Sequence, residues 1–283
     1  MTLIPAPSCH LDSINVEGST NVPVLCLHGL FAGSWVYERL LPRIAERGFP
    51  ASALSYRGHP PAEPSREMGR HSIVDYCHDA SEAARALNRP IVIGHSLGGL
   101  IALLLAGRNL IRAAVLVSPA PPRGISVLSP AILWRMIPYV PAMLFNRPFL
   151  PSDRHLDALV LNRVPEGSRS ALRRRFVAGS GRVSRETALG LFKVPARAVR
   201  APLLVVGAEH DRFIPLETAS RVARAYAASW HVARGHGHFL FSEPGWEDTA
   251  DVILEWIQAL PRVLRDTTAE VGVRPLRTNS TLA

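Results

Sequence analysis

Lysine is almost missing from this chain: 31 of its 32 basic residues are arginine, and the exception is Lys193. Cysteine is scarce too. Cys9, Cys26 and Cys77 stand far apart with no CxxC spacing, which argues against a disulfide framework and against a thiolate zinc site. Cys26 lies in an apolar strand pattern and should pack as a small hydrophobe. Cys77 is expected to be the partly exposed thiol, and neither is assigned a catalytic role. Long apolar runs are also absent. The best stretch, residues 97–117, is cut by Gly98, Gly99, Arg108 and Arg112, so no membrane-spanning helix is expected. The first residues, MTLIPAPSCHLDS, lack a basic segment followed by an apolar one. The expectation is therefore a chain without a secretory signal, cytoplasmic by default.

What is present suits one large domain, or a core carrying an insertion. The 283 residues are 47% hydrophobic, enough for a substantial core. The net charge of +9 is unevenly spread. Residues 121–200 hold 14 basic side chains against four acidic ones (Asp153, Asp157, Glu166 and Glu186), so the rest of the chain carries −1.

Short apolar runs bounded by turn residues mark strands at 22–28, 51–56, 90–94, 113–118, 203–207 and 230–233. Between them lie amphipathic helical patterns. One covers 35–47, with Val36, Leu40, Leu41, Ile44 and Ala45 on one face, and others cover 72–87, 96–108, 216–226 and 246–264. Strands alternating with helices imply an α/β fold with a mostly parallel sheet and helices on both faces. One short antiparallel strand fits at 11–16. The alternation breaks between Pro119 and about Arg200, where prolines and helical patches (132–143, 168–176, 185–192) carry no convincing strand. The expected organisation is a core of residues 1–120 and 200–265, a helical lid at 121–199, and a polar, disordered tail at 266–283.

The sharpest motif is Gly94-His95-Ser96-Leu97-Gly98-Gly99, which follows the strand RPIVI and opens the helix LIALLLAG. GxSxG between a strand and a helix presents a serine hydroxyl on a sharp turn at the sheet's C-terminal edge. The helix N-terminus beneath it favours developing negative charge. A serine hydroxyl is a weak nucleophile and needs a base, which an acid must orient. In this fold the chain order is Ser, acid, His. Asp211, in GAEHDRFIP at 207–215, is the candidate acid, with Glu209 as its rival. The turn after the strand at 113–118, Ser118-Pro119-Ala120-Pro121, offers no acid. His236 and His238 are candidates for the base, and position alone does not choose between them. A zinc site on these two lacks further ligands at suitable spacing. Two backbone N–H groups should form an oxyanion hole, from Leu97 and from Leu30 in the turn after the first parallel strand.

On these residues the chain resembles the α/β-hydrolase superfamily, in its branch of cofactor-free serine esterases and lysophospholipase-like enzymes. The resemblance covers roughly residues 22–120 and 200–260 and is weak over the lid. It is carried by HGL at 28–30, SYRGH at 55–59, GHSLGG at 94–99, GAEHDRFIP at 207–215 and GHFLFSEPGW at 237–246. In that family the catalytic histidine is followed five residues on by an acid before a proline. Glu243-Pro244 fits this relative to His238, so the resemblance implies His238 as base. Members that open epoxides or remove halides carry Asp at the elbow, where this chain has Ser96. The expected activity is hydrolysis of a carboxylic ester through an acyl-enzyme on Ser96, with no cofactor and no metal. Thioesterase, amidase, carbon–carbon bond hydrolase and hydroxynitrile-lyase chemistry are the alternatives, together with a silent binder that keeps the pocket. Phe31, His95, Trp134 and Phe239 are expected to contact substrate. Candidate partners are a small ester, anionic or lipid-like, and an acidic surface approached by the basic lid; nucleic acid is not expected.

Overall fold

The structure, a computed structural model, describes residues 9–62, 65–126 and 130–267. The chain runs β1 (His10–Ile14), β2 (Val24–Leu27), α1 (Leu40–Glu46), β3 (Ala51–Ser55), α2 (Ile73–Ala86), β4 (Ile91–His95), α3 (Leu97–Gly107) and β5 (Ala113–Val117). An insertion follows: α4 (Pro130–Met136), α5 (Val140–Leu144), β6 (Pro148–Phe149), α6 (Asp153–Leu159), α7 (Glu166–Arg173), β7 (Gly179–Ser180) and α8 (Gly181–Ala188). The core resumes with β8 (Leu203–Ala208), α9 (Leu216–Ala225), β9 (Ser229–Ala233), α10 (Trp246–Ala259) and α11 (Arg262–Arg265). Seven strands form one sheet in the order β1-β3-β2-β4-β5-β8-β9. Only β1 is antiparallel, pairing with β3.

Alternation within each strand explains why both sheet faces are covered. Val24 and Cys26 join the core on one face, with α1 and α10, while Leu25 and Leu27 join the other, with α2, α3 and α9. Successive side chains on a strand point to opposite faces, so a strand apolar at every position must be buried on both. The helix α3 is apolar all round and buried along nearly its whole length, as a helix at the centre of such a stack must be. The start of α2 is fixed by a capping box: Ser72 Oγ accepts from the Asp75 N–H while the Asp75 carboxylate accepts from the Ser72 N–H.

Several expectations need correction. Cys77 is buried on the face of α2 that packs on α3, and burial raises its pKa; Cys9 is the partly exposed thiol. The single helix expected over 132–143 is broken into α4 and α5 by a tight turn at Ile137–Tyr139, where Pro138 and Pro141 remove backbone donors. The third helical patch is shifted. Ser180 Oγ caps α8 by accepting from the Val183 N–H at 3.2 Å, and Gly190, at φ +58°, follows its end. The helix α6 and the two-residue pair β6–β7 were not expected. Asp266 and Thr267, placed by sequence in the tail, are held against the core, Asp266 buried and bridging to Asn21 and the Thr267 N–H donating to the Thr20 carbonyl; residues 268–283 of the expected tail lie outside the described residues. No helix among the described residues is long and apolar enough to cross a membrane.

Candidate active site

The parallel strands all end at one edge of the sheet, and the turns that follow them hold the candidate chemistry. At the end of β4 the chain must turn at once into α3. Side chains cannot fit inside this turn: a Cβ on Gly98 would strike the Leu27 carbonyl, and one on Gly94 would strike the backbone of Gly98. Ser96 takes the strain, at φ +55° and ψ −118°, a conformation that L-residues rarely adopt. Its carbonyl is held by the N–H groups of Gly99 and Ala120, both at 2.9 Å.

Asp211 follows β8. Its Oδ1 accepts from the Phe213 and Ile214 N–H groups, each at 2.8 Å, and its Oδ2 lies 2.8 Å from His238 Nδ1. One oxygen therefore fixes the carboxylate to its own loop, and the other orients the imidazole. Both side chains are buried. Glu209, the rival acid, is directed elsewhere and accepts from the Gly235 N–H at 2.8 Å. His236 is buried too, but its Nδ1 faces Glu243 at 3.1 Å. The same Glu243 oxygen accepts from the Gly237 N–H at 2.8 Å. Glu243 thus braces the peptide just before His238, which gives a physical reason for an acid five residues after the histidine.

The turn after β2 is held by two histidines that appeared in the sequence only as parts of motifs. His28 Nε2 accepts from the Tyr56 N–H at 3.2 Å, so its proton sits on Nδ1 and is donated to the Gly29 carbonyl at 2.6 Å. His59 Nε2 donates to the Leu30 carbonyl at 2.8 Å. Burial is the main cause that lowers the pKa of both, so both stay neutral. With these carbonyls pinned, the opposite ends of their peptides are fixed. Neither the Leu30 nor the Leu97 N–H has a backbone acceptor among the described residues. Gly29 keeps this turn close to Ser96: a Cβ there would lie 3.2 Å from the Ser96 Cβ.

His95 is the residue before Ser96. Its Nε2 donates to the His238 carbonyl at 2.8 Å. Burial, then the neighbouring His238, pushes its pKa down to about 3. It is therefore neutral and adds no cation beside His238.

A family model described as the alpha/beta hydrolase family matches residues 24–252. The chain belongs to the alpha/beta hydrolase family. Its α/β-hydrolase core has many solved counterparts. A soluble variant of monoglyceride lipase from Saccharomyces cerevisiae superposes with a TM-score of 0.71 at 16% identity, covering 88% of this chain and 90% of that one. A hydrolase of Metapseudomonas resinovorans named for 2-hydroxy-6-oxo-6-(2'-aminophenyl)hexa-2,4-dienoic acid is 27% identical over 269 residues, covering 88% of this chain and 89% of that protein. A Mycobacterium phage protein named as a non-heme haloperoxidase is 31% identical over 112 residues, 36% of this chain. That match spans only 37% of the phage protein's length.

In this α/β hydrolase a cavity of about 400 Å³ opens over the turn at Ser96. Ser96, His95, His238, Leu30, Leu97, Phe31 and Phe239 line it, so one space brings together all the expected site residues except Asp211, which stands behind His238, and Trp134. Trp134 is a correction. The helix α4 presents Ile132, Leu133 and Met136 to the cavity, and helical periodicity turns Trp134 outward, where it is 76% exposed. Among the described residues, no Asp, Glu, Lys or Arg lines the cavity. The insertion forms the cavity's other wall and is tied to the site: Asn162 Nδ2 donates to the His210 carbonyl at 2.9 Å and Arg163 Nε to the Gly235 carbonyl at 2.8 Å. The run Arg173-Arg174-Arg175 is partly committed. Arg173 pairs with Asp157 and Asp153, and Arg175 pairs with Glu38 and stacks on Trp35. Among the described residues no group of three His, Cys, Asp or Glu side chains could hold a metal ion.

Proposed function

We propose that this protein is a cofactor-free serine hydrolase that cleaves a neutral, apolar carboxylic ester. The observation that carries the proposal is the strained Ser96, sharing one cavity with His238, whose Nδ1 is held by Asp211 at 2.8 Å. In this mechanism His238 Nε2 takes the proton from the Ser96 hydroxyl as Oγ attacks the ester carbonyl. Asp211 keeps the imidazole in the required tautomer and supports the imidazolium that forms. The Leu30 and Leu97 N–H groups stabilise the oxyanion. Collapse of the tetrahedral intermediate expels the alcohol, protonated by His238, and leaves an acyl group on Ser96. Water, activated by His238, then releases the acid.

The substrate reading follows from the lining. An uncompensated charge in so apolar a space is costly, so the acyl group is neutral and hydrophobic. This weighs against the carbon–carbon hydrolase alternative, since the substrate named for the Metapseudomonas resinovorans relative is an acid and no cation lines this cavity to receive one. The insertion acts as a lid. Leu133, Ile137, Val140 and Leu189 both line the cavity and are exposed, so its opening is an apolar rim. Arg123, Arg147 and Lys193, on the same insertion, are exposed and make no salt bridge among the described residues. An apolar opening formed by an insertion with excess positive charge suits a lipid-like ester approached at an acidic surface.

Labelling with a fluorophosphonate probe tests the central claim. The wild-type protein should react at Ser96, and Ser96→Ala should lose the label together with at least about 10³-fold in turnover of a model ester. Near wild-type turnover by folded Ser96→Ala protein would sink it.

A further inference from the structure

The cavity is not uniformly apolar, and its polar residues outside the catalytic set differ in what they have left to offer. Ser184 Oγ donates its only proton to the Ser180 carbonyl at 3.0 Å, and Thr187 Oγ1 donates to the Val183 carbonyl at 2.9 Å. Both hydroxyls have thus spent their proton on their own helix. His155, on α6, is different.

One tautomer of His155 lets a short chain of bonds use every donor it contains. The Ser152 N–H can only donate, and it does so to the Tyr139 hydroxyl oxygen at 2.8 Å. The hydroxyl proton of Tyr139 is then free to point at His155 Nδ1, 2.8 Å away. With Nδ1 accepting, the proton of the neutral ring resides on Nε2. Nε2 has no hydrogen-bond partner among the described residues. The ring is half-buried and lines the same cavity as Ser96. Its support is rigid. Tyr139 stacks on Phe149 at 5.1 Å, and Phe149 meets Phe31, next to the oxyanion turn, edge-on at 5.3 Å. These rings connect His155 back to the floor of the site.

We infer that the Nε2–H of His155 is a specificity subsite, donating a hydrogen bond to an oxygen acceptor that the substrate carries away from its scissile ester. The acceptor is a hydroxyl, ether or carbonyl oxygen and is uncharged, since no Lys or Arg among the described residues lines the cavity. Within an apolar space an oriented donor discriminates between substrates, because one that ignores it leaves it unpaired. This inference rests on Ser96 being the nucleophile of an ester hydrolase, and it names which esters are preferred.

The test uses pairs of esters with the same leaving group and chain length, one with a methylene and the other with an oxo or hydroxyl group at graded positions. In each pair the readout is the ratio of kcat/KM. At one position the wild-type protein should favour the oxygenated ester by about threefold to tenfold, the scale of one net hydrogen bond. His155→Leu should bring that ratio to about one, and His155→Gln, which retains a donor, should keep part of it. Tyr139→Phe should lower it in part, because Nδ1 can then take the proton. A role for His155 in stability alone would depress both esters of a pair and leave the ratio unmoved. The inference is overturned if no position gives a ratio above one, or if the preference survives in His155→Leu. A binding arm keeps the two claims separate: the corresponding ketone and alkane are compared as stabilisers of Ser96→Ala by their shift in Tm. If fluorophosphonate labelling fails but the ketone still stabilises through His155, the hydrolase reading falls and the subsite stands.

Discussion

The core and the insertion differ in how their side chains are held and covered. In the core, the side chains around Ser96 are held by backbone partners. Asp211 is held by two N–H groups of its own loop, His28 by Tyr56 N–H and Gly29 C=O, His59 by the Leu30 carbonyl and His95 by the His238 carbonyl. In the insertion, short helices leave large apolar side chains in solvent, including Leu144 at 60% and Phe145 at 71% exposure. Many of its arginines there find no acid. Backbone partners cannot be lost without unfolding, so the core fixes geometry to a fraction of an ångström. Side chains on short helices can be exchanged freely, so the insertion is where preference for one substrate over another is set.

The difference is sharpest at the acid. Asp211→Asn keeps the size of the side chain but removes the charge that supports imidazolium. The expected loss is on the order of 10⁴-fold in kcat, with the fold intact by circular dichroism. His238→Ala should fall in the range of Ser96→Ala, since members of one catalytic unit are strongly non-additive. Glu209→Gln and His236→Ala act through backbone support only and should each cost less than about tenfold. A large loss at Glu209 with a small one at Asp211 would mean that the acid lies on the other side of the turn.

The same contrast governs what could be read from sequence. Ser96 was legible because the turn admits only small residues at Gly94 and Gly98, and those steric demands are written in the local string. The sheet was legible because each strand is apolar at successive positions over a short span. Asp211 was placed by chain order, and the choice of His238 over His236 came from the resemblance. Two kinds of feature were hidden. The roles of His28 and His59 depend on carbonyls of residues 29 and 30, which a sequence pattern does not display. In the insertion, α6 buries only Leu156 and Leu159, too weak a stripe to announce a helix. Trp134 was misjudged because an apolar residue on a short helix can face the cavity or solvent, and only the neighbouring elements decide which.

The buried histidines make a prediction about acid. His28, His59 and His95 all have pKa values lowered in the folded protein, mainly by burial. For such a group the unfolded chain binds more protons once pH falls below its ordinary value, so stability is lost on acidification. For His95 the window runs from 6.5 down to about 3. Each histidine steepens the loss by about 1.4 kcal/mol per pH unit inside its window. Urea denaturation at a series of pH values from 7.5 to 5 should show this slope, and His95→Gln should reduce it by the contribution of one group. An unchanged slope in His95→Gln would show that the residue is not a buried neutral imidazole. Surface charges of the insertion should leave the slope untouched, which separates the two regions by a measurement that does not involve catalysis.

The smallest effect concerns the charge of the insertion. Sequence drew attention to Arg173-Arg174-Arg175, but Arg173 and Arg175 are already paired with Asp157, Asp153 and Glu38. Arg123, Arg147 and Lys193 are among several exposed cations of the insertion that make no salt bridge among the described residues, and Arg147 lies over the exposed ring of Phe145. Arg123 is tied to the end of the insertion through its backbone, donating to the Phe192 carbonyl at 2.7 Å. In water, one unit charge at about 10 Å from another changes its energy enough to alter a rate about twofold. Salt removes this, because the screening length falls from about 10 Å at 0.1 M to about 3 Å at 1 M. The value of kcat/KM for an ester carrying an anionic group outside the cavity should therefore fall severalfold over that range, and that for a neutral ester of similar size should stay within about twofold. Replacing Arg123, Arg147 and Lys193 together by Gln should flatten the response, whereas replacing Arg173 and Arg175 should not, since those charges are already neutralised by their partners. If the anionic and neutral esters respond alike, the arginine excess serves the insertion's own solvation, and the apolar rim alone selects what enters.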